Sequence, residues 1–307
     1  MPDPITGRVL QFTAGVYRVH TPAGTFDCSL RGKAKRDVGE RVAIGDLVSI
    51  ERLEDESESC RITEVLPRES RLSRHSMAKR REQVLAANVD QVAAVFAVAR
   101  PDADVRLLDR LLAVAELHGL PALIVLNKTD LLEDGKVPPE LAAYADIGYP
   151  VLPTCARTGA GLGVLLERLA GRITVFTGPS GVGKTSILNA ILPDLDLRVG
   201  AVGDRSGRGK HTTSAGVLIP LPGGGYLADT PGIQYFEPAG VDVADLAHAF
   251  REFRPLVDGC RFANCRHRAE PGCAVRAAVD DGSVREHRFA SYLSLLEDAE
   301  GGRESGR

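Results

Sequence analysis

Between residues 5 and about 66, apolar and polar positions alternate in short runs separated by turn-forming breaks such as Pro22-Ala23-Gly24. Residues 7–10, 16–19, 25–28 and 46–50 read as short strands of this kind, in which alternation turns one side of an extended chain into a core and the other towards water. Short strands with turns between them predict a small antiparallel barrel, and a five-stranded barrel of the OB type fits this length. Such a barrel binds oligonucleotides on one face. The basic run Arg31-Gly32-Lys33-Ala34-Lys35-Arg36 falls where a binding loop would project, although a merely solvated loop accounts for it as well.

The period then changes. Residues 68–81 carry six basic residues against one acidic and show no amphipathic repeat, so they read as a basic linker, able to contact phosphates or simply to be solvated. From 92 to 98 the chain is almost continuously apolar, as suits a parallel strand covered on both faces. Leu107, Leu108, Leu111, Leu112 and Ala115 form one helical stripe. Further strands are expected at 122–126, 150–152, 173–176 and 225–228, and helices near 139–144, 161–169 and 186–192. Strands alternating with helices predict an open α/β sheet whose ligands sit at the strands' C-terminal ends. Helices at 243–253 and 284–296 follow. The expected architecture is a multidomain chain: an all-β OB barrel (1–67), a basic linker (68–84), a P-loop α/β domain (85–239) and a helical metal-binding module (240–307) whose tail from 301 is expected to be disordered.

The 173–176 strand and the 186–192 helix enclose Gly178-Pro179-Ser180-Gly181-Val182-Gly183-Lys184-Thr185. Strand, glycine-rich loop and helix are what a phosphate-binding P-loop requires: the glycines let several backbone N–H groups face one anion, and the helix N-terminus adds partial positive charge. Gly178, Ser180, Gly181, Val182, Gly183, Lys184, Thr185 and Ser186 are the candidate nucleotide contacts. Lys184 would reach the β- and γ-phosphates, and the Thr185 hydroxyl would sit on Mg²⁺.

Asn127-Lys128-Thr129-Asp130 ends the 122–126 strand. Guanine has N1–H and N2–H₂ donors side by side, and one carboxylate accepts from both, which makes Asp130 the expected guanine reader. The Lys128 stem would lie along the base, Asn127 would brace the loop, and the Cys155-Ala156 turn would bring a backbone N–H to the guanine O6. A long polar segment from 198 to 210 leads to His211-Thr212-Thr213 and reads as a first switch, with Thr213 (or Thr212) as second Mg²⁺ ligand. Asp229-Thr230-Pro231-Gly232 supplies a D-x-x-G motif, in which Asp229 would hold a Mg²⁺-bound water and the Gly232 N–H the γ-phosphate. Base recognition thus precedes phosphate and switch elements, the reverse of the ordinary GTPase order, so the domain reads as circularly permuted.

Composition narrows the picture. The 307 residues carry a net charge of −3, which leaves any nucleic-acid role to local patches. The polar N-terminus does not resemble a signal peptide, no apolar run is long enough to span a bilayer, and a cytoplasmic location is expected. Of six cysteines, three lie in Cys260-x₄-Cys265-x-His267-x₅-Cys273. Three thiolates and one imidazole complete a tetrahedral Zn²⁺ set with no open position, which predicts one structural zinc rather than a disulfide framework. Cys28 and Cys60 read as buried barrel residues.

Taken together, the barrel, the N-K-x-D motif ahead of the P-loop, His211-Thr212-Thr213, the cysteine–histidine spacing and the run Glu270-Pro271-Gly272-Cys273-Ala274-Val275 resemble the bacterial ribosome small-subunit-dependent GTPases, the RsgA family. The resemblance covers nearly the whole chain. It implies a monomeric GTPase that joins the 30S subunit late in its maturation, contacts 16S rRNA through barrel and zinc module, and leaves once GTP has become GDP. Ile233 stands just after D-x-x-G, where many GTPases place a water-orienting glutamine. His211, two residues before Thr213, is the internal candidate for that role, and the resemblance supports it. Two rivals remain open at this stage. The P-loop string also resembles that of guanylate kinases, which need neither N-K-x-D nor a zinc module, and an RNA-binding protein with a vestigial nucleotide site would not turn over GTP at all.

Overall fold

A computed structural model describes residues 5–30, 42–52, 59–76, 81–132, 134–193, 216–229 and 243–304. The basic run at 31–36 lies outside them. Two compact units are formed, one from residues 1–91, 165–176 and 188–233, the other from 92–164, 177–187 and 234–307.

In the first unit, β1 (Ile5–Thr13), β2 (Val16–Thr21), β3 (Gly24–Leu30), β4 (Leu47–Arg52) and β5 (Ser59–Val65) pair in the order β1-β2-β3-β5-β4, and β4 returns to β1 to close a barrel. Closure leaves no sheet edge within the ring. The alternation read from sequence is the inside–outside period: Tyr17 and Val19 of β2 and Cys60 and Ile62 of β5 are buried with Val9, Cys28, Val48 and Ile50. Cys28 and Cys60 face one another across β3 and β5, and burial pushes the Cys28 thiol up to about 12.

The segment expected to be a linker is structured. β6 (Arg71–Ser76) and β7 (Arg81–Ala87) form an antiparallel hairpin, with Leu72, Ala86 and Ala87 buried. Arg68 is also committed: its guanidinium pairs with the fully buried Asp46 at 2.6 and 2.9 Å, and the same carboxylate accepts the Ala43 N–H at 2.7 Å. Counting basic residues missed this, because the partner carboxylate lies 22 positions away.

In the second unit, β8 (Gln91–Ala97), β9 (Ala122–Asn127) and β10 (Val151–Pro153) are parallel, and every residue of β8 and β9 is buried. Asp104 caps the intervening α1 (Val105–Leu117) by accepting the N–H groups of Arg106 and Leu107. Of the predicted stripe, Leu108, Leu111, Leu112 and Ala115 are buried and Leu107 is half-buried; Asp109 is buried too. α2 (Pro139–Ala142) is a single turn; next along the chain come α3 (Leu162–Leu169) and β11 (Ile173–Thr177), most of whose residues belong to the first unit.

After β11 come α4 (Lys184–Ile191), β12 (Val217–Pro220) and β13 (Tyr226–Asp229). β11 runs parallel to β13, β13 antiparallel to β12, and β12 meets the barrel directly where Gln11 of β1 pairs with Val217. The Tyr226 hydroxyl and His20 Nδ1 are 2.8 Å apart, and the Arg8 guanidinium lies 5.6 Å from the Tyr226 ring centroid. The barrel is therefore fastened to the strand that delivers Asp229.

The helix expected over 243–253 is broken. α5 (Val243–Leu246) gives way to single 3₁₀ turns at Ala247–Ala249 and Arg251–Phe253, with Phe250 extended between them. The break seats Phe250 and Phe253 in the core while Arg251 and Arg254 both reach Glu116 of α1 at 2.6 Å. α6 (Ala274–Asp280) was not foreseen, and α7 (Glu286–Glu304) continues through residues 301–304, part of the tail expected to be disordered. Among the described residues, no helix is long and apolar enough to cross a membrane.

Candidate nucleotide site and metal centre

β11 runs straight into the P-loop, and two glycines set its shape. Gly178 has φ +144°, and a Cβ there would stand 2.0 Å from the Val95 carbonyl oxygen. Gly183 has φ +96°, and a Cβ there would stand 2.3 Å from Asn127 Nδ2. Neither position admits a side chain without movement, and both dihedrals favour glycine. Lys184, the first residue of α4, is 6% exposed, and its ammonium donates to the Gly178 and Pro179 carbonyls at 2.7 Å each. The charge is thereby held inside the loop, where a phosphate would exchange for those carbonyls. Thr185 is buried beside it, Val182 is buried, and Ser180 and Gly181 face solvent.

At the other side of the site, β9 ends in Asn127, and Lys128 turns the chain with φ +63°. Asn127 is 1% exposed. Its Nδ2 donates to the Val182 carbonyl at 2.9 Å, and its Oδ1 accepts the Ala156 N–H at 3.1 Å. One side chain thus ties the N-K-x-D turn to the P-loop and to the 155–156 turn. The Ala156 N–H expected at guanine O6 is engaged by Asn127, and the Cys155 N–H by the Ala160 carbonyl at 2.9 Å. Lys128 Nζ donates to the Arg100 carbonyl.

Asp130 has both oxygens occupied. Oδ1 accepts from the Cys155 thiol at 3.0 Å, while Oδ2 accepts from Arg157 Nε at 3.1 Å and Nη2 at 2.9 Å. The thiol hydrogen bond first, and the Arg157 charge after it, hold the Asp130 carboxyl below the usual carboxylate range. Sequence reasoning missed Arg157 and the Arg100 carbonyl. Only the cation's place two residues beyond Cys155 hinted at the first, and nothing signalled the second.

His211, Thr212, Thr213 and Gly232 lie outside the described residues, and so does the Asp229 side chain, although its backbone closes β13.

Cys260, Cys265, His267 and Cys273 converge, their ligand atoms all within 4.8 Å of one another. His267 Nδ1 stands 3.5 Å from Cys260 Sγ and 3.3 Å from Cys273 Sγ, and the two sulfurs are 4.0 Å apart. Ligands bound about 2.0–2.3 Å from a tetrahedral zinc stand roughly 3.5–3.8 Å apart, so the donor set fits that ion. Burial lowers the His267 pKa, favouring the neutral imidazole a metal requires, and pushes the Cys265 thiol up to about 12. A divalent cation among the sulfurs would reverse that last preference. His267 adopts φ +59°, and its ring is surrounded by Phe253 and Tyr292.

With this geometry in place, the chain matches the RsgA GTPase family over residues 65–239 and the RsgA N-terminal domain over residues 6–60. A Gemmatimonas aurantiaca protein described as small ribosomal subunit biogenesis GTPase RsgA is 45% identical, covering 98% of this chain and 99% of its own. A Moorella thermoacetica protein of the same description is 42% identical over 94% and 96%. The crystal structure of YjeQ from Thermotoga maritima superposes with a TM-score of 0.76 at 32% identity, covering 97% of this chain and 99% of that one. The structure of YloQ, described as a circularly permuted GTPase, gives 0.76 at 28% identity over 98% and 96%.

Proposed function

The chain belongs to the RsgA GTPase family and is a circularly permuted GTPase with an OB-like barrel, and on that premise we propose that it binds the 30S ribosomal subunit late in assembly and hydrolyses GTP to leave it. The descriptions of its relatives support the small subunit as partner. The observation that carries the nucleotide reading is Asn127: one buried amide is bonded to the P-loop carbonyl and to the turn opposite Asp130. Phosphate and base sites are thereby held in one frame. Positioning of this kind is most of what a phosphoryl-transfer enzyme contributes.

In this reading the backbone N–H groups of Gly178 to Lys184 and the Lys184 ammonium receive the β- and γ-phosphates, with Ser186 beside them. Asp130 reads guanine, Lys128 lies along the base, and the Ala156 N–H is shared between Asn127 and O6. Thr185 and Thr213 would hold Mg²⁺, which neutralises phosphate charge when bound; Asp229 would hold a Mg²⁺-bound water and the Gly232 N–H the γ-phosphate. His211 orients the attacking water in place of the glutamine that Ile233 cannot imitate. One Zn²⁺ on Cys260, Cys265, His267 and Cys273 is structural, since four protein ligands leave no open position. The protein works as a cytoplasmic monomer, with barrel and zinc module on 16S rRNA.

The test is phosphate release from GTP with and without purified 30S subunits. Stimulated release that needs no GMP is the expected result. Turnover indifferent to the subunit would overturn the ribosomal reading, and phosphate transfer to GMP would replace it with a kinase. His211→Ala should keep GTP affinity and subunit binding while stimulated turnover falls on the order of 10²-fold.

A further inference from the structure

Asp130 is occupied by the chain itself. Two of its three donors come from the Arg157 guanidinium, Nε at 3.1 Å and Nη2 at 2.9 Å on Oδ2, and the third is the Cys155 thiol on Oδ1. An arginine Nε–H and Nη–H form a planar, parallel fork of the kind that matches a carboxylate. Guanine's N1–H and N2–H₂ form a fork of the same kind. Here both guanidinium N–H groups fall on Oδ2 and the Cys155 thiol takes Oδ1, so the two side chains together fill the acceptor positions that guanine's N1–H and N2–H₂ would use.

Burial sets how strongly guanidinium and guanine compete. The Asp130 side chain is 19% exposed, whereas that of Arg157 is 74% exposed and has open solvent to swing into. No backbone need move for the exchange, because the 155–156 turn is held independently by Asn127 and by the Ala160 carbonyl. The guanidinium is in place to leave when a base arrives and to return when it goes.

From this we infer that Arg157 is a built-in competitor of guanine: its guanidinium occupies Asp130 Oδ2 and must be displaced before a base can be read. The inference rests on Asp130 as the guanine reader. Arg157 is a positioning residue here, with no contact to the reacting phosphates. It limits guanine-nucleotide affinity and gives Asp130 a ready partner when product departs.

The experiment uses the full-length protein and fluorescently labelled GDP at fixed ionic strength. Arg157→Gln, which keeps most of the stem and removes the charge, should tighten GDP about two- to fivefold, the range of an exposed ion pair. It should do so through faster association. Asp130→Asn should weaken GDP and admit labelled xanthosine diphosphate, and Arg157→Gln added to Asp130→Asn should leave the xanthosine probe's affinity unchanged, since the ion pair is already gone. A merely structural role for Arg157 would move both probes alike and would overturn the inference. So would unchanged or weakened GDP binding in Arg157→Gln alone, the latter meaning that the guanidinium contacts the nucleotide. If Asp130→Asn leaves GDP affinity intact, it is the guanine-reading role of Asp130 that fails, a result separable from the other two.

Discussion

Asn127 donates its side-chain amide to the Val182 carbonyl across 2.9 Å, joining residues 55 positions apart. The same side chain accepts the Ala156 N–H. Truncation to alanine leaves both backbone groups without these partners, at roughly 1–3 kcal/mol for the buried Val182 carbonyl and less for the half-buried Ala156 N–H. Because both belong to the nucleotide loops, the loss should fall on binding: GDP affinity of Asn127→Ala is expected to drop about 10- to 100-fold, with the far-ultraviolet spectrum preserved. Titration with fluorescent GDP decides it, and an unchanged Kd would show that the loops hold their positions without the amide.

The two crowded glycines should fail differently. A methyl at Gly183 meets the end of a side chain, Asn127 Nδ2, whereas one at Gly178 meets a backbone oxygen of β8. A side-chain tip can swing away; a strand carbonyl cannot. Gly183→Ala should therefore reproduce the binding defect of Asn127→Ala, with positive φ adding a modest stability cost. Gly178→Ala should lower stability outright, by at least the roughly 1–3 kcal/mol of a forced backbone conformation, and the melting temperature with it. Equal melting temperatures for the two variants would contradict this distinction.

Metal removal should act locally. The four ligands close around the 260–273 segment, and the aromatic cluster of Phe250, Phe253, Phe289 and Tyr292 packs next to it. Purified protein is expected to contain about one zinc per chain, as a single four-ligand site implies. Cys265→Ser or a strong chelator should loosen this module while GDP binding persists, because the P-loop is framed by β8 and β9 rather than by the metal. Hydrogen exchange would show protection lost from 256–280 and kept at 122–127; loss in both regions would refute it.

The barrel and the nucleotide motifs were legible because their signals are local. Tyr17 and Val19 alternate with exposed Arg18 within one strand, and the P-loop glycines lie within six residues of the lysine they serve. What could not be read depends on distant partners. Residues 68–84 read as a basic linker, since nothing nearby announces the buried Asp46 or the cross-strand pairing of β6 with β7. The helix expected at 243–253 follows local pattern correctly up to Leu246. Beyond it, the burial of Phe250 and Phe253 and the grip of Arg251 and Arg254 on Glu116 outweigh the i→i+4 ladder. Asp130 was singled out through guanine's chemistry, whereas its partner Arg157 was not, because the N-K-x-D motif carries no record of a side chain 27 positions on.

Asp109 shows the same principle with larger energies. A carboxylate in the apolar stripe of α1 looks like an error until Arg288 of α7, 179 positions on, places Nη1 2.8 Å from Oδ1. Arg288 also grips Glu252 through Nε at 2.6 Å and Nη2 at 3.1 Å, lies 4.5 Å from the Phe250 ring centroid, and is 1% exposed. The Tyr144 hydroxyl donates to the same Asp109 oxygen. One buried cation thus joins α1, the turn at Arg251–Phe253 and α7. Arg288→Met keeps much of the volume but strands two carboxylates, one of them fully buried, and breaking such a pair from one side costs about 3–5 kcal/mol. Unfolding by denaturant should show a loss of that size. Neutralising the partners as well, in Arg288→Met with Asp109→Asn and Glu252→Gln, should recover most of it, because the cost lies in uncompensated charge rather than in lost contact. If the triple variant is as unstable as the single one, the three groups matter for their shape and hydrogen bonds, and the electrostatic account of this junction is wrong.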